Sequence, residues 1–377
     1  METSAPRVLL GGTGSGCGKT TVTMAVLQAL KDRGLRLGAF KCGPDYIDPM
    51  FHSRIIGARS RNLDLFFFPE NTARYLLARN SAGLDVSVIE GVMGYYDGMG
   101  LTSTAASTYE AARVTGTPAV LVVGARGASL SLLGVIRGFL DFCPEDQIRG
   151  VILNQCSPMT YAALAEEIRR RFGGRVRPLG YLPPMPDCAL ESRHLGLVTA
   201  GEVADLKDKL ARLAAQAERT IDLNGLIALA EEAPPLLCDP VTFPRREPVR
   251  IAVARDKAFC FYYEDSLQAL GEMGAELTEF SPLTDTALPP DIQGLYLGGG
   301  YPELYAKTLS ENAAMRESVR SAVTAGLPTI AECGGFMYLT EAIGDWPMAG
   351  VLPGGCRDNH KLTRFGYVTL TAKEDNL

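Results

Sequence analysis

The sequence predicts an α/β protein of two domains, each built around a parallel sheet. Short apolar runs alternate with amphipathic helical stretches along the 377 residues, and repeated strand–helix units favour a parallel sheet with helices on both faces. Segment 233–249 interrupts this alternation with five prolines and no periodicity, which is typical of a linker. A chain of this length is long enough for two domains. We therefore predict domains at residues 1–235 and 249–377, joined by a linker at 236–248.

The first predicted domain contains six strands, each a short apolar run bounded by turn residues. Segment 199–232 is rich in Ala, Leu, Glu and Lys, and we predict a single helix there. The strands are expected at 7–10, 37–41, 86–90, 119–123, 151–154 and 178–181, with a helix at 19–33 after the first.

The second predicted domain repeats the same strand–helix alternation after the linker. Its strands are expected at 250–254, 295–297 and 329–331, and its helices at 264–274 and 312–325.

Composition argues against several classes of protein. The chain has 37 Lys and Arg against 43 Asp and Glu, and this net charge of −6 is unusual for a general nucleic-acid-binding protein. Its nine cysteines form no CxxC pair, which indicates reduced thiols in the cytoplasm and not a disulfide framework. The three histidines are too separated to suggest a zinc site. No apolar run approaches the roughly 18 residues of a membrane span, so we expect no membrane partner.

The segment after the first strand is predicted to bind the phosphates of ATP. From residue 11 it is GGTGSGCGKTT, a glycine-rich turn between a strand and a helix, in which backbone N–H groups and the helix N-terminus favour an anion. Lys19 would reach the β- and γ-phosphates, and Thr20 would bind Mg²⁺. Five residues separate Gly12 from Gly18, one more than usual, and this variant resembles the loop of the dethiobiotin synthetase and MinD-like group. The predicted nucleotide contacts are Gly12, Thr13, Gly14, Ser15, Gly16, Cys17, Gly18, Lys19, Thr20 and Thr21.

Acidic residues follow two of the other predicted strands. Asp45 and Asp48 lie in a Pro-bounded loop, where they would bind magnesium or a substrate group, or only shape the loop as an Asx turn. Glu90 ends a buried strand and is expected as a second magnesium contact beside Thr20 and Asp45. Asp97 lies in the next glycine-rich loop. It is either a functional residue or an ordinary surface carboxylate. Asn154 ends a strand, where its side-chain amide would hydrogen-bond to the edge of a nucleobase. Alternatively, it is an ordinary asparagine at a strand end.

Cys333 is the candidate nucleophile of the second domain. It lies between a strand and a helix, an arrangement that exposes a side chain and favours a thiolate at the helix N-terminus, although a lone cysteine is more often an inert buried thiol. Gly299, Gly300, Gly334 and Gly335 are expected to offer backbone N–H groups to an oxyanion.

Taken together, these segments resemble the cobyrinate a,c-diamide synthase family, glutamine-dependent amidotransferases of cobalamin synthesis. The resemblance implies a variant P-loop NTPase domain with a dethiobiotin synthetase-like parallel sheet, followed by a class I glutamine amidotransferase-like α/β domain. It rests on residues 12–21, 41–52, 61–64, 90–98, 259–263, 297–303 and 331–339.

The resemblance also implies a reaction and roles within it. ATP would phosphorylate a carboxylate of a corrinoid or related tetrapyrrole, and ammonia released from glutamine at Cys333 would displace the phosphate. Relatives suggest a homodimer. By match to the family motifs, Lys19, Lys41, Thr20 and Glu90 would serve ATP and Mg²⁺, and Asp45, Asp48 and Asp97 would lie near the carboxylate and acyl phosphate.

The match departs from the family near the C-terminus. A cysteine glutaminase needs a histidine base beyond the nucleophile, and His360, in a polar stretch, does not fit that motif. We therefore expect the second domain to be incomplete and glutamine use to be impaired by about 100- to 10,000-fold, with free ammonia still usable.

Three alternatives stay open, of which one is that the chain is a non-catalytic remnant. The same chemistry would suit hydrogenobyrinate or nickel-sirohydrochlorin as the acid. A MinD- or ParA-like switch ATPase shares the variant loop, although the cysteine elbow and the acidic balance disfavour it.

Overall fold

The computed structural model describes residues 2–189, 200–360 and 366–372. It divides into two compact units, Met1–Val241 and Thr242–Leu377. The division falls within the proline-rich segment 233–249. All nine cysteines are free thiols.

The first unit is organised around a seven-stranded sheet in the order β4-β3-β5-β2-β6-β7-β8, in which all neighbouring strands pair in parallel. A separate antiparallel pair joins β1 (Glu2–Thr3) to β9 (Leu236–Leu237). The strands of the main sheet are β2 (Arg7–Gly12), β3 (Leu37–Cys42), β4 (Arg59–Leu63), β5 (Val86–Glu90), β6 (Ala119–Gly124), β7 (Ile148–Asn154) and β8 (Arg177–Leu182).

Helices cover both faces of this sheet, which is why its central strands β2, β3 and β5 are buried along their whole length and mostly apolar. In β2, Val8 and Leu10 belong to one buried cluster and Leu9 to another on the opposite face. The first face carries α1 (Lys19–Asp32), α2 (Ile47–Phe51), a π-helical turn (His52–Ile56), α7 (Ala200–Thr220) and α8 (Leu223–Glu231). The second face carries α3 (Glu70–Ser81), α4 (Thr108–Thr115), α5 (Ser131–Phe142) and α6 (Pro158–Phe172).

The six predicted strands of this unit are confirmed, but β4 was not predicted, and the prediction of one long helix was wrong. Strand β4, with the sequence RSRNL, lies at the sheet edge, where polar side chains are tolerated and no apolar run is needed. The segment predicted as one helix is two, because Asp222 starts a new helix by accepting a hydrogen bond from the Gly225 N–H at 2.8 Å. Residue 199 of that prediction lies outside the described residues.

The second unit has a four-stranded parallel sheet in the order β12-β10-β13-β15. Its three predicted strands are confirmed, and β12, with the alternating sequence AELTEF, is an edge strand that was missed. The sheet strands are β10 (Val249–Ala254), β12 (Ala275–Phe280), β13 (Gly294–Leu297) and β15 (Thr329–Ala331). Smaller pairings involve β11 (Phe259–Phe261), β14 (Gly299–Gly300), β16 (Ala342–Ile343), β17 (Trp346–Pro347) and β18 (Gly355–Cys356). The helices are α9 (Glu264–Met273), α10 (Ala306–Glu311), α11 (Ala313–Thr324) and α12 (Gly334–Leu339).

No helix in the described part of the chain is long and apolar enough to cross a membrane. Since the strands of the main sheet are parallel, their carboxyl ends share one edge, where open α/β sheets bind ligands. Lys41 and Glu90 are register partners near that edge.

Candidate active site

The phosphate loop connects β2 to α1, as predicted. Gly18 has a left-handed backbone with φ of 88°, and a Cβ there would lie 1.8 Å from Nδ2 of Asn154. A Cβ on Gly12 would lie 2.6 Å from Sγ of Cys17. The left-handed backbone and the close approach of Asn154 favour glycine at position 18, whereas a side chain at position 12 would displace Cys17.

The carboxylate of Glu90 contacts two side chains of the loop, the ammonium of Lys19 and the hydroxyl of Thr20. This carboxylate is fully buried, and Oε1 accepts hydrogen bonds from Nζ of Lys19 at 3.1 Å and Oγ1 of Thr20 at 2.7 Å. The structure thus places Glu90 beside the phosphate loop, as its position at the end of a buried strand predicted.

Lys41 links this group to two aspartates that follow β3; Asp45 lies in the loop, as predicted, but Asp48 lies in the first turn of α2. The ammonium of Lys41 lies 2.6 Å from Oδ2 of Asp48, 3.2 Å from Oε1 of Glu90 and 4.0 Å from Oδ2 of Asp45. It also donates to the Gly91 carbonyl at 3.2 Å. One buried lysine therefore contacts three carboxylates from two segments of the chain.

In Lys41 and Glu90, neighbouring opposite charges outweigh the effect of burial on the pKa. Burial alone would raise the pKa of Glu90, but Lys41 and Lys19 hold it well below its usual value. Burial alone would lower the pKa of Lys41, but Glu90, Asp48 and Asp45 keep it above its usual value. Burial, with Glu90 nearby, raises the pKa of Asp48 to about 6 despite Lys41. Lys41 and Glu90 are therefore a charged pair at neutral pH.

Asp45 and Asp97 each shape a turn. Oδ1 of Asp45 accepts from the backbone N–H groups of Ile47 at 2.8 Å and Asp48 at 3.2 Å, so the Asx-turn alternative describes this oxygen, while Oδ2 faces Lys41. Oδ2 of Asp97 accepts from the Gly94 N–H at 2.8 Å. A Cβ on Gly94 would lie 3.3 Å from Cα of Gly14, so the turn that Asp97 closes packs against the phosphate loop.

Asn154 also supports the loop, since its Nδ2 donates to the Cys17 carbonyl at 2.9 Å. Beside it lies a cavity of about 610 Å³, large enough for a nucleoside. Arg126 also lines this cavity and was not predicted as a site residue, although it lies just after β6 at the ligand-binding edge of the sheet. The lining includes Gly16, Gly18, Thr21, Arg126, Asn154 and Pro183.

The oxygen groups of the cluster fit a magnesium ion that arrives with ATP. Such an ion is usually held by one or two protein oxygens, phosphate oxygens and water. Thr20, at the start of α1, and Glu90, at the end of β5, supply oxygens 2.7 Å apart, and Asp45 is a further candidate. In residues 2–189, 200–360 and 366–372, no group of three or more His, Cys, Asp or Glu side chains is arranged to hold a metal by itself.

Cys333 of the second unit occupies a strained turn between β15 and α12. Its backbone has φ of 48° and ψ of −107°, which is unusual for a residue with a side chain, and the residue is exposed. Strain of this kind is typical of a nucleophile elbow.

The predicted oxyanion glycines surround Cys333, with one correction. A Cβ on Gly299 would lie 3.4 Å from Cβ of Cys333, and one on Gly334 would lie 3.2 Å from the Gly300 nitrogen. The expectation for Gly335 was wrong, because its N–H donates to the carbonyls of Gly298 at 2.9 Å and Glu332 at 2.8 Å. Because both of these hydrogen bonds are made within the protein, the Gly335 N–H is not available to an oxyanion.

His360 is exposed and lies 3.1 Å from Oδ2 of Asp358 through its Nδ1. This contact is with its own loop, two residues away.

Two family models match the chain. The CobQ/CobB/MinD/ParA nucleotide binding domain matches residues 8–198, and the CobB/CobQ-like glutamine amidotransferase domain matches residues 250–377. The first model includes both amidating enzymes and switch ATPases, so it supports nucleotide binding without separating the two classes. The second model favours the amidating class.

Curated relatives match along nearly the whole chain. Cobyrinate a,c-diamide synthase of Thermoplasma volcanium is 43% identical, with 99% of this chain and 82% of the relative covered. The enzymes of the same name from Priestia megaterium and Clostridium acetobutylicum are each 40% identical, covering 98% of this chain and 82% and 83% of the relatives. Because both domains are matched at this identity, the chain belongs to the cobyrinate a,c-diamide synthase family of ATP-dependent amidating ligases that use glutamine.

Proposed function

We propose that this chain converts the a and c acetate carboxylates of cobyrinate into amides with ATP, using nitrogen from glutamine or free ammonia. The observation that carries the chemistry is the convergence of Lys19, Thr20 and Lys41 on the buried carboxylate of Glu90. This group suits phosphoryl transfer, which needs mainly positioning and charge neutralisation. The choice of acid is supported by the names of the relatives.

The first reaction joins substrate and ATP at the phosphate loop. A substrate carboxylate oxygen attacks the γ-phosphorus, the bond to the β,γ-bridging oxygen breaks, and ADP leaves. Lys19 and the loop N–H groups hold the phosphates, and Thr20, Glu90 and Asp45 would hold Mg²⁺. Bound magnesium would neutralise phosphate charge. Asp48 and Asp97 border the acyl phosphate, and Lys41 orients Asp48 and Glu90.

The second reaction replaces phosphate by nitrogen. Ammonia attacks the acyl carbon, phosphate leaves, and the ammonium proton is lost to solvent. When glutamine is the donor, the Cys333 thiolate attacks its carboxamide, and the nitrogen takes a proton from water as the C–N bond breaks and ammonia leaves. The hydroxide that remains hydrolyses the glutamyl thioester, which gives glutamate and the free thiol of Cys333. Backbone N–H groups of Gly299, Gly300 and Gly334 stabilise the oxyanion.

The test is to incubate the protein with ATP, Mg²⁺ and ammonium or glutamine, and to count amides by mass spectrometry. Cobyrinate, hydrogenobyrinate and nickel-sirohydrochlorin are supplied in separate reactions. We expect two amides on cobyrinate. Amides only on another acid would reassign the substrate, and ATP turnover without amidation, stimulated by DNA or lipid, would favour a switch ATPase. We also propose that the chain forms a homodimer, and light scattering of the same preparation measures its mass.

A further inference from the structure

His52 occupies an unusual place next to the proposed phosphoryl-transfer site. It is the first residue of the π-helical turn that follows α2, and its side chain is fully buried. Turns of this type are rare and often occur at functional sites. His52 is the last residue of segment 41–52, one of those that carry the family resemblance, but the sequence of this segment does not indicate a role for the histidine.

The two oxygens of Glu90 have different surroundings. Oε1 accepts from Lys19, Thr20 and Lys41. Oε2 is buried and has no hydrogen bond of standard geometry within the described residues. Nε2 of His52 lies 3.4 Å from it, and neither ring nitrogen of His52 has another hydrogen-bond partner in the described part of the chain.

Unpaired buried polar atoms are costly, so two such groups facing each other need an explanation. A shift of a few tenths of an ångström would turn their contact into an ordinary hydrogen bond from Nε2–H to Oε2. The side chain of His52 is buried, so any effect on ATP must pass through Glu90.

We propose that His52 is a positioning residue that holds Oε2 of Glu90, so that Oε1 stays directed at Lys19 and Thr20. The role rests on the proposed function, since it concerns the carboxylate expected to meet the magnesium–ATP complex. Partners that orient a metal-binding side chain typically affect metal affinity or activity by about 10- to 100-fold. The same range is expected here.

The experiment compares His52→Leu, which keeps bulk but no polar atom, with His52→Gln, whose amide nitrogen reaches about as far as Nε2. Binding of a non-hydrolysable ATP analogue is measured by calorimetry with and without Mg²⁺, and thermal unfolding is recorded for each variant. Phe51→Leu is the matched control, because Phe51 is the fully buried neighbour of His52 and lies at the end of α2.

In the parent protein, Mg²⁺ is expected to increase the affinity for the ATP analogue. We expect this increase to be smaller by about 10-fold or more in His52→Leu, while the affinity without Mg²⁺ is unchanged. His52→Gln should retain most of that gain, and Phe51→Leu should lower the unfolding temperature alone. An unchanged gain in His52→Leu, or equal losses in the Leu, Gln and Phe51 variants, would overturn the proposal.

If His52→Leu does not fold, His52→Asn replaces it, because the shorter amide cannot reach Oε2. A loss of the magnesium-dependent gain in Asn but not in Gln supports the role, and no loss in Asn overturns it. Analogue binding needs no acid substrate, so a parent protein that binds the magnesium complex but forms no amide would refute the proposed function separately.

Discussion

At the residue scale, Lys41 holds together carboxylates that would otherwise repel one another. Its side chain is 5% exposed, and its ammonium lies close to Asp48 and Glu90, with Asp45 at 4.0 Å. With Lys19, the cluster has two cations against three carboxylates. The remaining negative charge is appropriate for a site that receives magnesium with its nucleotide.

The first prediction concerns the removal of this lysine. Lys41→Met should lower the free energy of unfolding by about 3–5 kcal/mol, because buried carboxylates lose their partner. Urea unfolding followed by circular dichroism measures the change. Arg36→Met is the control, since Arg36 forms an exposed ion pair with Asp85 and should change stability little. Equal stability of the two variants would contradict the role of Lys41.

At the scale of elements, strand ends and the loops that follow them form the site. Register pairs Lys41 of β3 with Glu90 of β5, and the phosphate loop leaves the adjacent strand β2. Asn154, at the end of β7, stabilises the loop by a hydrogen bond from its side chain to the Cys17 carbonyl. The shape of the loop therefore depends on several strands of one sheet.

The second prediction tests the close packing of this loop. Gly18→Ala should abolish measurable ATP binding, because its left-handed backbone disfavours a side chain and the new Cβ would overlap Asn154. Fluorescence titration with a labelled ATP measures the loss. Gly138→Ala, in α5 with open space around the added carbon, should bind normally and be equally or more stable. Normal binding by Gly18→Ala would show that the loop shifts easily.

At the scale of the whole molecule, two α/β units carry separable halves of the proposed reaction. The phosphate loop and its acidic partners belong to the first unit, and the strained Cys333 turn belongs to the second. Loss of the nucleophile should therefore leave the use of free ammonia intact.

The third prediction separates the halves. In Cys333→Ala, ammonium-supported amidation should equal that of the parent, and the parent's glutamine-supported rate, whatever its size, should fall to background. Mass spectrometry of the product measures both rates. Cys356→Ser, in β18 of the same unit, serves as the control thiol substitution. Persistence of glutamine-supported amidation in Cys333→Ala would remove Cys333 as the nucleophile.

The sequence predicted the features that depend on local patterns. Glycines before Lys19 and Thr20 specify a loop between a strand and a helix, and apolar runs specify central strands buried on both faces. Edge strands β4 and β12 escaped prediction because an edge can be polar. The break before α8 depended on one capping residue, Asp222, within an otherwise helical composition.

The sequence by itself therefore determined the α/β class, the phosphate loop and the family. Only the tertiary structure decided that Lys41 contacts Asp48 and Glu90, that the Gly335 N–H is consumed by its turn, and that His52 faces Glu90. The physical reason is range. Turn and helix signals act between neighbouring residues, whereas these contacts follow from strand order and burial, which bring distant segments to one edge of a sheet.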